Sequence, residues 1–287
     1  MGRPIRAQRL AASPNPYQEL SVQTEDEDAR FNNILARGLA VLRAFDRQDQ
    51  LLGNAELAER TRVPKATISR LTFTLAQLGY LSYRPEAGKY ELAPGVVALA
   101  YPYLVGHVVP PIARPLMHTL ANATRSNIGF GIMEGLSVIY LEYEIGEPNP
   151  SRRHRVGFRV PLVRSGIGRA CYAALPHEEQ LAVQAQVREH YPDEAQALCD
   201  ELEKAAAQVE GRGFCIASGT LNPNINSVAV PFVYGERRKI MAFNSQGPKQ
   251  IQTAALMART GVKLLELAEE VRRQIIAAEL GAGFARR

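Results

Sequence analysis

The chain contains 287 residues, of which 46% are hydrophobic and 22% are charged, and its formal net charge is +5. Because domains commonly hold roughly 100 to 200 residues, this length predicts two domains. No segment approaches the roughly 18 uncharged apolar residues that a membrane helix needs. The N-terminal sequence also lacks the apolar run of a signal peptide. We therefore expect a cytoplasmic protein with no membrane partner.

The three cysteines, Cys171, Cys199 and Cys215, are scattered along the second half of the chain. They lack the C-x-x-C and Cys–His spacings of a zinc site, and their odd number does not suit a disulfide framework. We expect three reduced, buried thiols that act as small apolar side chains. Nothing in the sequence indicates a metal or a cofactor.

Charge is distributed unevenly along the first third of the chain. Residues 1–29 hold three arginines and five acidic residues with few large apolar side chains, so we expect residues 1–30 to form a disordered tail. Residues 30–93 hold ten Lys or Arg residues against six acidic residues. This positive excess indicates nucleic-acid binding only if the fold concentrates it on one face.

The pattern of residues 31–93 predicts a winged helix-turn-helix domain. A first amphipathic helix precedes a short second helix that is capped by Asn54. Arg62-Val63-Pro64 then ends this second helix, and a third helix follows immediately. The apolar stripe of the third helix ends at Gly79, a natural C-cap, and consists of Ile68, Leu71, Leu75 and Leu78. Two short strands joined by a Pro/Gly turn follow as a basic wing.

The opposite face of the third helix carries small, polar and basic side chains, which are the types that a helix needs to enter the major groove. It carries Ala66, Ser69, Arg70, Phe73 and Gln77, with Lys65 and Thr67 in the first turn. We predict that Lys65, Thr67, Ser69 and Arg70 contact DNA bases or phosphates, and that Arg84 and Lys89 of the wing contact phosphates or the minor groove. Phe73 is larger than we expect there, and packing against the first helix is its alternative role.

Beyond the wing, residues 94–108 are predicted to form a linker helix, bent or broken near Pro102, and residues 109–280 an α+β domain. Predicted strands lie at 127–145 (a hairpin), 156–163, 214–218, 226–234 and 238–245. Predicted helices begin near residue 110, span 164–175, 177–190 and 193–210, and end with 250–278. Residues 281–287 are expected to be a flexible end.

Five segments make the chain resemble the IclR family of bacterial transcription regulators. They are LARGLAVLRAF, NAELAERTRVPKATISRLTFTLAQLGYL, KYELAPGVVALA, VPLVRSGIGRACYAAL and SVAVPFVYGERRKIMAFNSQGP. The resemblance implies a C-terminal effector-binding domain with a curved antiparallel sheet of the GAF/profilin-like type. It also implies a homodimer, or a dimer of dimers, that binds a pseudo-palindromic operator and a small metabolite, often an organic or aromatic acid.

The start of the helix at Ser165, Gly166, Ile167 and Gly168 is the predicted effector site, because free N–H groups and a hydroxyl suit a carboxylate. Close packing of small residues on the sheet is the alternative. The resemblance adds four strand residues to this site, namely Asn226, Ser227, Asn244 and Gln246. Asn244 and Gln246 replace small hydroxyl side chains, and GTLNPNINS replaces an acidic run, so the effector is expected to differ from simple keto acids. Arg152 is a further candidate carboxylate ligand, with a solvated loop as the alternative.

Two other classes of function are the alternatives to a regulator that responds to an effector. The five histidines are dispersed without a catalytic or metal-binding motif, so we expect no enzymatic activity. A winged helix fused to a biotin-ligase-type enzyme is the nearest rival, but Phe214 follows Gly211-Arg212-Gly213 where that nucleotide loop needs another Arg. A ligand-independent architectural DNA binder is the remaining alternative, and a metabolite that stabilises the protein would exclude it.

Overall fold

A computed structural model of the chain describes residues 30–46, 49–147, 155–235 and 238–284. Within these ranges the chain divides into two compact units, the first ending at His107 and the second beginning at Val108. No single helix in these ranges is long and apolar enough to cross a membrane, although two successive helices, 95–105 and 109–124, pass that test when taken together. Residues 1–29 of the predicted tail lie outside the described residues.

The described part of the first unit contains four helices and a two-stranded hairpin. In chain order these are α1 (Asn33–Arg43), α2 (Asn54–Thr61), α3 (Lys65–Gln77), β1 (Leu81–Arg84), β2 (Lys89–Leu92) and α4 (Gly95–Val105). β1 and β2 pair antiparallel, with Leu81 opposite Leu92. Three helices followed by this hairpin form the predicted winged helix-turn-helix.

The turn between α2 and α3 lies at the predicted position, whereas the N-terminal cap of α2 differs from the prediction. Arg62 ends α2 in the left-handed conformation, with a φ of 57°, and Pro64 immediately precedes α3. Asn54, the expected cap of α2, is instead the first residue of that helix, and Gly53 precedes it. The side chain of Asn54 accepts a hydrogen bond from Thr72 of α3 at 3.2 Å, so it joins two helices and caps neither.

The core of the first unit is formed by Val41, Leu52, Leu57, Val63, Ile68 and Leu81. The predicted stripe of α3 is partly wrong, because Leu78 is 63% exposed while the unpredicted Thr72 is fully buried. The Thr72 hydroxyl oxygen also lies 3.0 Å from the carbonyl oxygen of Ile68, so its single proton is shared between this carbonyl and Asn54 Oδ1. α4 remains one helix through Pro102 where we expected a bend or break, and none of its residues is buried.

The second unit contains five helices and one six-stranded antiparallel sheet within the described residues. Its elements are α5 (Val109–Thr124), β3 (Asn127–Glu134), β4 (Ser137–Ile145), β5 (Arg159–Pro161), α6 (Gly166–Ala173), α7 (His177–His190), α8 (Ala195–Arg212), β6 (Cys215–Ser218), β7 (Ile225–Tyr234), β8 (Lys239–Pro248) and α9 (Ala254–Phe284). The strand order is β5-β4-β3-β8-β7-β6. The sheet is curved, as the resemblance implied.

The two faces of this sheet pack against different helices. Phe130, Phe232 and Phe243 lie in a core shared with α5 and α9. Tyr140, Ala229 and Ala242 lie in a second core shared with α6 and α8. Because successive side chains of a strand point to opposite faces, β7 and β8 contribute to both cores. We call the face of the sheet that packs against α6 and α8 the α6 face.

The predicted bounds of three elements in this unit need correction. The strand expected at 156–163 is reduced to Arg159–Pro161, and α6 ends at Ala173 and does not reach Leu175. α9 begins at Ala254 and continues to Phe284, so residues 281–284 belong to a helix.

Candidate DNA-binding surface and effector site

The exposed side of α3 carries most of the predicted DNA contacts. Lys65, Ser69 and Arg70 are exposed, whereas Thr67 is half-buried. The side chains of Lys65, Ser69 and Arg70 make no hydrogen bond or ion pair with any residue that the structure describes. Their donors are therefore available to a partner. We call the exposed residues Lys65, Ala66, Ser69, Arg70, Phe73 and Gln77 the outer face of α3.

The two basic side chains of the wing are paired within the chain. Arg84 Nη2 lies 2.5 Å from Glu91 Oε1 on the neighbouring strand, and Lys89 Nζ lies 2.8 Å from Glu56 Oε1 on α2. Glu56 also accepts a hydrogen bond from the Gly53 N–H at 2.7 Å. This backbone hydrogen bond, followed by the bond from Lys89, lowers the pKa of Glu56. Lys89 thus anchors the wing to the start of α2, a contact that the sequence did not predict.

Ser165 caps α6 and is the centre of a tightly packed loop. Its hydroxyl accepts from the Gly168 N–H at 3.1 Å and donates to the Pro161 carbonyl at 2.7 Å. A Cβ atom at Gly168 would lie 2.4 Å from the Leu162 Cα, so only glycine allows this approach. The close packing that we weighed as an alternative is therefore present at Gly168, and the Ser165 donor is already used inside the chain.

Gly166 brings the start of α6 onto strand β7. A Cβ atom at Gly166 would lie 2.6 Å from the Ser227 Oγ and 3.5 Å from the Ala217 Cβ. Ser227 is only 8% exposed, and its hydroxyl has no hydrogen-bond partner among the described residues. Buried polar groups usually have hydrogen-bond partners, and this hydroxyl can bind a ligand or a water molecule. Ile167 is fully buried and packs in the core of the α6 face.

The strand register aligns polar residues in rows across the α6 face. Gln246 of β8 lies opposite Asn127 of β3 and Ser227 of β7. Asn244 occupies the next row, between Gly129 and Ala229. All four polar residues of these rows are buried: Asn127, Ser227, Asn244 and Gln246. None of their side chains carries a formal charge.

Asn226 does not belong to this set, which corrects our prediction. Asn226 is adjacent to Ser227 in β7, so its side chain points to the opposite face of the sheet. Its amide Nδ2 donates to the backbone carbonyl of Gln252 at 2.9 Å. Arg152 lies outside the described residues.

A bulge in β4 adds two tyrosines that the sequence analysis missed. The pairing of β3 with β4 shifts between Phe130 and Gly131, so Tyr140 lies opposite Gly131 and Tyr143 opposite Gly129. Residues three apart in a regular strand point to opposite faces, and the extra residue places both tyrosines on the same face. Their rings pack edge to face at 5.3 Å. In the sequence, only the Gly-x-Gly pattern of Gly129 and Gly131 could have indicated that large side chains of a neighbouring strand lie there.

These tyrosines are hydrogen-bonded to the buried amides. Gln246 Nε2 donates to the Tyr143 hydroxyl at 2.8 Å, and the Tyr140 hydroxyl donates to Asn244 Oδ1 at 3.4 Å. A Cβ atom at Gly129 would lie 2.3 Å from the Tyr140 ring and 2.6 Å from Asn244 Oδ1. The missing side chain at Gly129 therefore leaves the space that these groups occupy. Together, these residues form a largely buried cluster of aromatic rings and amides on the α6 face.

The cysteines and the acidic residues offer no metal centre in the described ranges. All three cysteines are free and buried, as predicted. Burial raises the pKa of the Cys215 thiol to about 12 and also raises the pKa of Cys171.

Comparison with known proteins decides the family. Residues 34–85 match the IclR helix-turn-helix domain, and residues 101–273 match the bacterial transcriptional regulator IclR C-terminal domain. The chain belongs to the IclR family. A crystal structure of an IclR-family regulator from Brucella abortus shares 35% identity, with a TM-score of 0.77, over 91% of this chain and 99% of that one.

Curated relatives of this IclR protein are also regulators. The HTH-type transcriptional regulator TsaQ1/TsaQ2 of Comamonas testosteroni is 29% identical over 89% of this chain and 93% of its own length. An IclR homologue from Microbacterium hydrocarbonoxydans, crystallised with 4-hydroxybenzoate, has the same fold, with 23% identity and a TM-score of 0.68 over 85% of this chain and 99% of that one. The present chain is an IclR-type transcriptional regulator with a DNA-binding helix-turn-helix and a C-terminal effector domain.

Proposed function

We propose that this regulator inserts α3 into the major groove of its operator with the outer face of α3 towards the bases. The observation that carries the proposal is the exposure of Lys65, Ser69 and Arg70 without partners in the described part of the chain. Arg and Lys side chains bind guanine edges and phosphates, and a serine hydroxyl serves either. Thr67, half-buried at the first turn, contributes through its position beside the phosphate backbone.

The wing has a supporting role in this proposal. Arg84 keeps about half of its side chain exposed beside Glu91, so its remaining donors can reach a phosphate. Lys89 is paired with Glu56 and acts mainly by holding the wing against α2. Because Glu56 neutralises part of its charge, Lys89 attracts a phosphate less strongly than an unpaired lysine does. Mutation of either residue should therefore weaken DNA binding less than mutation of Arg70.

We infer that the effector is an aromatic acid held on the α6 face. Tyr140 and Tyr143 supply aromatic rings that pack against a planar ligand. The unpartnered Ser227 hydroxyl lies beside Gly166, at the N-terminus of α6, where backbone N–H groups and the helix dipole favour a carboxylate. Asn244 and Gln246 provide neutral donors and acceptors for a ring substituent. Ser165 and Gly168 shape this end of the site, and Arg152 is a further proposed carboxylate ligand.

We propose that the protein acts as a cytoplasmic homodimer, or as a dimer of such dimers, without enzymatic activity. A two-fold symmetric protein presents two copies of α3 to two half-sites, which matches a pseudo-palindromic operator. The dimer also doubles the number of cationic side chains on the duplex. Effector binding then alters DNA affinity only through a difference in affinity between two arrangements of the protein.

A selection experiment tests the DNA-binding proposal. The full chain is used to select duplexes from a random library, and we expect an inverted repeat whose half-sites are separated by about one helical turn, roughly 10 base pairs, or a multiple of it. Affinity for the selected duplex should fall steeply with salt, because each phosphate contact releases counterions. Enrichment of no sequence over the starting library would contradict the proposal.

A ligand titration tests the effector proposal. 4-Hydroxybenzoate is the first probe, because it occupies an IclR homologue of the same fold, and 4-hydroxybenzyl alcohol is its uncharged control. We expect only the acid to raise the melting temperature and to change the Kd for the selected duplex. At 100 times its dissociation constant a ligand adds about 2.7 kcal/mol to stability. Ser227→Val should abolish this gain, and a gain equal to that of the wild type would remove Ser227 from the site.

A further inference from the structure

Phe73 is the one large aromatic side chain on the outer face of α3. Its side chain is 64% exposed, and it belongs neither to the core of the first unit nor to any ring contact within the described residues. These observations give no support to the alternative role expected from the sequence, packing against the first helix. Single exposed apolar residues are common on protein surfaces, so the position of this residue matters more than its exposure.

That position is central on the outer face of α3. Ser69 and Arg70 precede Phe73 by four and three residues, so all three side chains share one surface of the helix. Gln77 continues the same surface one turn later. If Arg70 and Ser69 meet a base edge, the Phe73 ring is brought against the floor of the same groove and loses its contact with water.

The chemistry of the major groove limits what a phenyl ring can meet there. Base edges present hydrogen-bond donors and acceptors at every pair, and the C5-methyl group of thymine is the apolar exception. A phenyl ring over a donor or acceptor leaves that group desolvated and unpaired, which is costly. A ring over a methyl group buries two apolar surfaces.

We propose that Phe73 reads the C5-methyl group of one thymine in each operator half-site. This inference rests on the proposed docking of α3 in the major groove. Phe73 is then a specificity-determining residue of this regulator, and it selects a T·A pair beside the bases contacted by Ser69 and Arg70.

Replacement of thymine by deoxyuridine tests this proposal, because it removes only the methyl group. Each thymine of the selected duplex is replaced in turn, and the Kd of the full chain is measured at constant salt. We expect one position per half-site at which wild-type binding weakens about fourfold, the factor for one buried methyl group. Phe73→Ala should bind the thymine and deoxyuridine duplexes equally. Leu78→Ala, which removes another exposed apolar side chain of the same region, should keep the wild-type discrimination.

Two results would overturn the inference. The first is that wild type and Phe73→Ala respond in the same way to the replacement of every thymine by deoxyuridine. The other is that Phe73→Ala changes the molecular mass in solution while discrimination persists, which would assign Phe73 to a contact between copies of the chain. Arg70→Ala distinguishes these results from failure of the proposed function. If Arg70→Ala loses DNA binding while Phe73→Ala still distinguishes the thymine duplex from the deoxyuridine duplex, α3 docks on DNA but Phe73 does not read thymine.

Discussion

The side-chain amide of Gln246 donates a hydrogen bond to the hydroxyl of Tyr143, with 2.8 Å between the two atoms. Gln246 lies on β8 and Tyr143 on β4, and β3 separates the two strands in the sheet. The bond therefore crosses the middle strand, over positions where β3 carries the side chain of Asn127 and no side chain at Gly129. It ties together the aromatic and the amide parts of the proposed effector site.

Tyr143→Phe should lower both the stability of the protein and its response to the effector. The change removes the acceptor for Gln246 and leaves the ring, so we expect a loss of about 1 kcal/mol in the free energy of unfolding. The response to 4-hydroxybenzoate should weaken as well, because Gln246 loses its fixed orientation. Denaturant unfolding and thermal shift measure the two effects. Tyr101→Phe, at a side chain that is 62% exposed, is the control, and an equal effect there would contradict the prediction.

Gly168→Ala should be strongly destabilising, whereas Gly211→Ala should not. A Cβ atom at Gly168 would lie 2.3 Å from the carbonyl oxygen of Leu162, and a backbone atom cannot move aside cheaply. We expect a loss of roughly 1–3 kcal/mol, typical of overpacking. Gly211 lies within α8 and has nothing within 4 Å of its Cβ position, so alanine there should be neutral or stabilising by about 0.5–1 kcal/mol. Equal melting temperatures for the two variants would refute this account of the loop.

Glu56 should make the stability of the DNA-binding unit depend on pH. The Gly53 N–H and then Lys89 lower its pKa below the ordinary value of 4.5. A carboxylate with a lowered pKa stabilises the folded state above its unfolded pKa, and this contribution disappears as the pH falls through the folded pKa. Wild type should therefore exceed Glu56→Gln in stability at pH 7 by about 0.5–1 kcal/mol, as expected for capping and ion-pair contacts.

That advantage should shrink below the ordinary pKa of a carboxyl group. Unfolding by urea at a series of pH values from 7 to 3 measures it. Glu59→Gln, at an exposed position of the same helix, is the control variant for the loss of one negative charge. A constant difference between wild type and Glu56→Gln across the series would contradict the assignment.

The three cysteines should be unreactive in the folded protein. All are buried, and burial raises the pKa of Cys215 to about 12, so almost no thiolate is present at neutral pH. We expect a thiol reagent such as DTNB to label the native chain only at the rate of unfolding, and to label three thiols at once in denaturant. Rapid labelling of one thiol in the native protein would show that this part of the fold opens locally.

The helices and strands were largely predictable from periodicity, but several contacts of the sites were not. The wing pair Lys89–Glu56 joins residues 33 apart, a separation at which sequence patterns carry no information. Asn226 was wrongly assigned because the motif held two adjacent polar residues, and only one of two neighbours in a strand can point to a given face. Tyr140 and Tyr143 were missed because a bulge changes the alternation that sequence analysis assumes.

The central claim, that the outer face of α3 binds DNA, is tested most directly by titrating the selected duplex with wild type, Arg70→Ala and Arg259→Ala. Arg259 is exposed on α9, outside the DNA-binding unit, and is the matched control. We expect Arg70→Ala to weaken binding by about 1–3 kcal/mol if Arg70 reads a guanine, with an unchanged melting temperature, and Arg259→Ala to bind as the wild type does. Equal Kd values for all three proteins at the same salt concentration would contradict the claim.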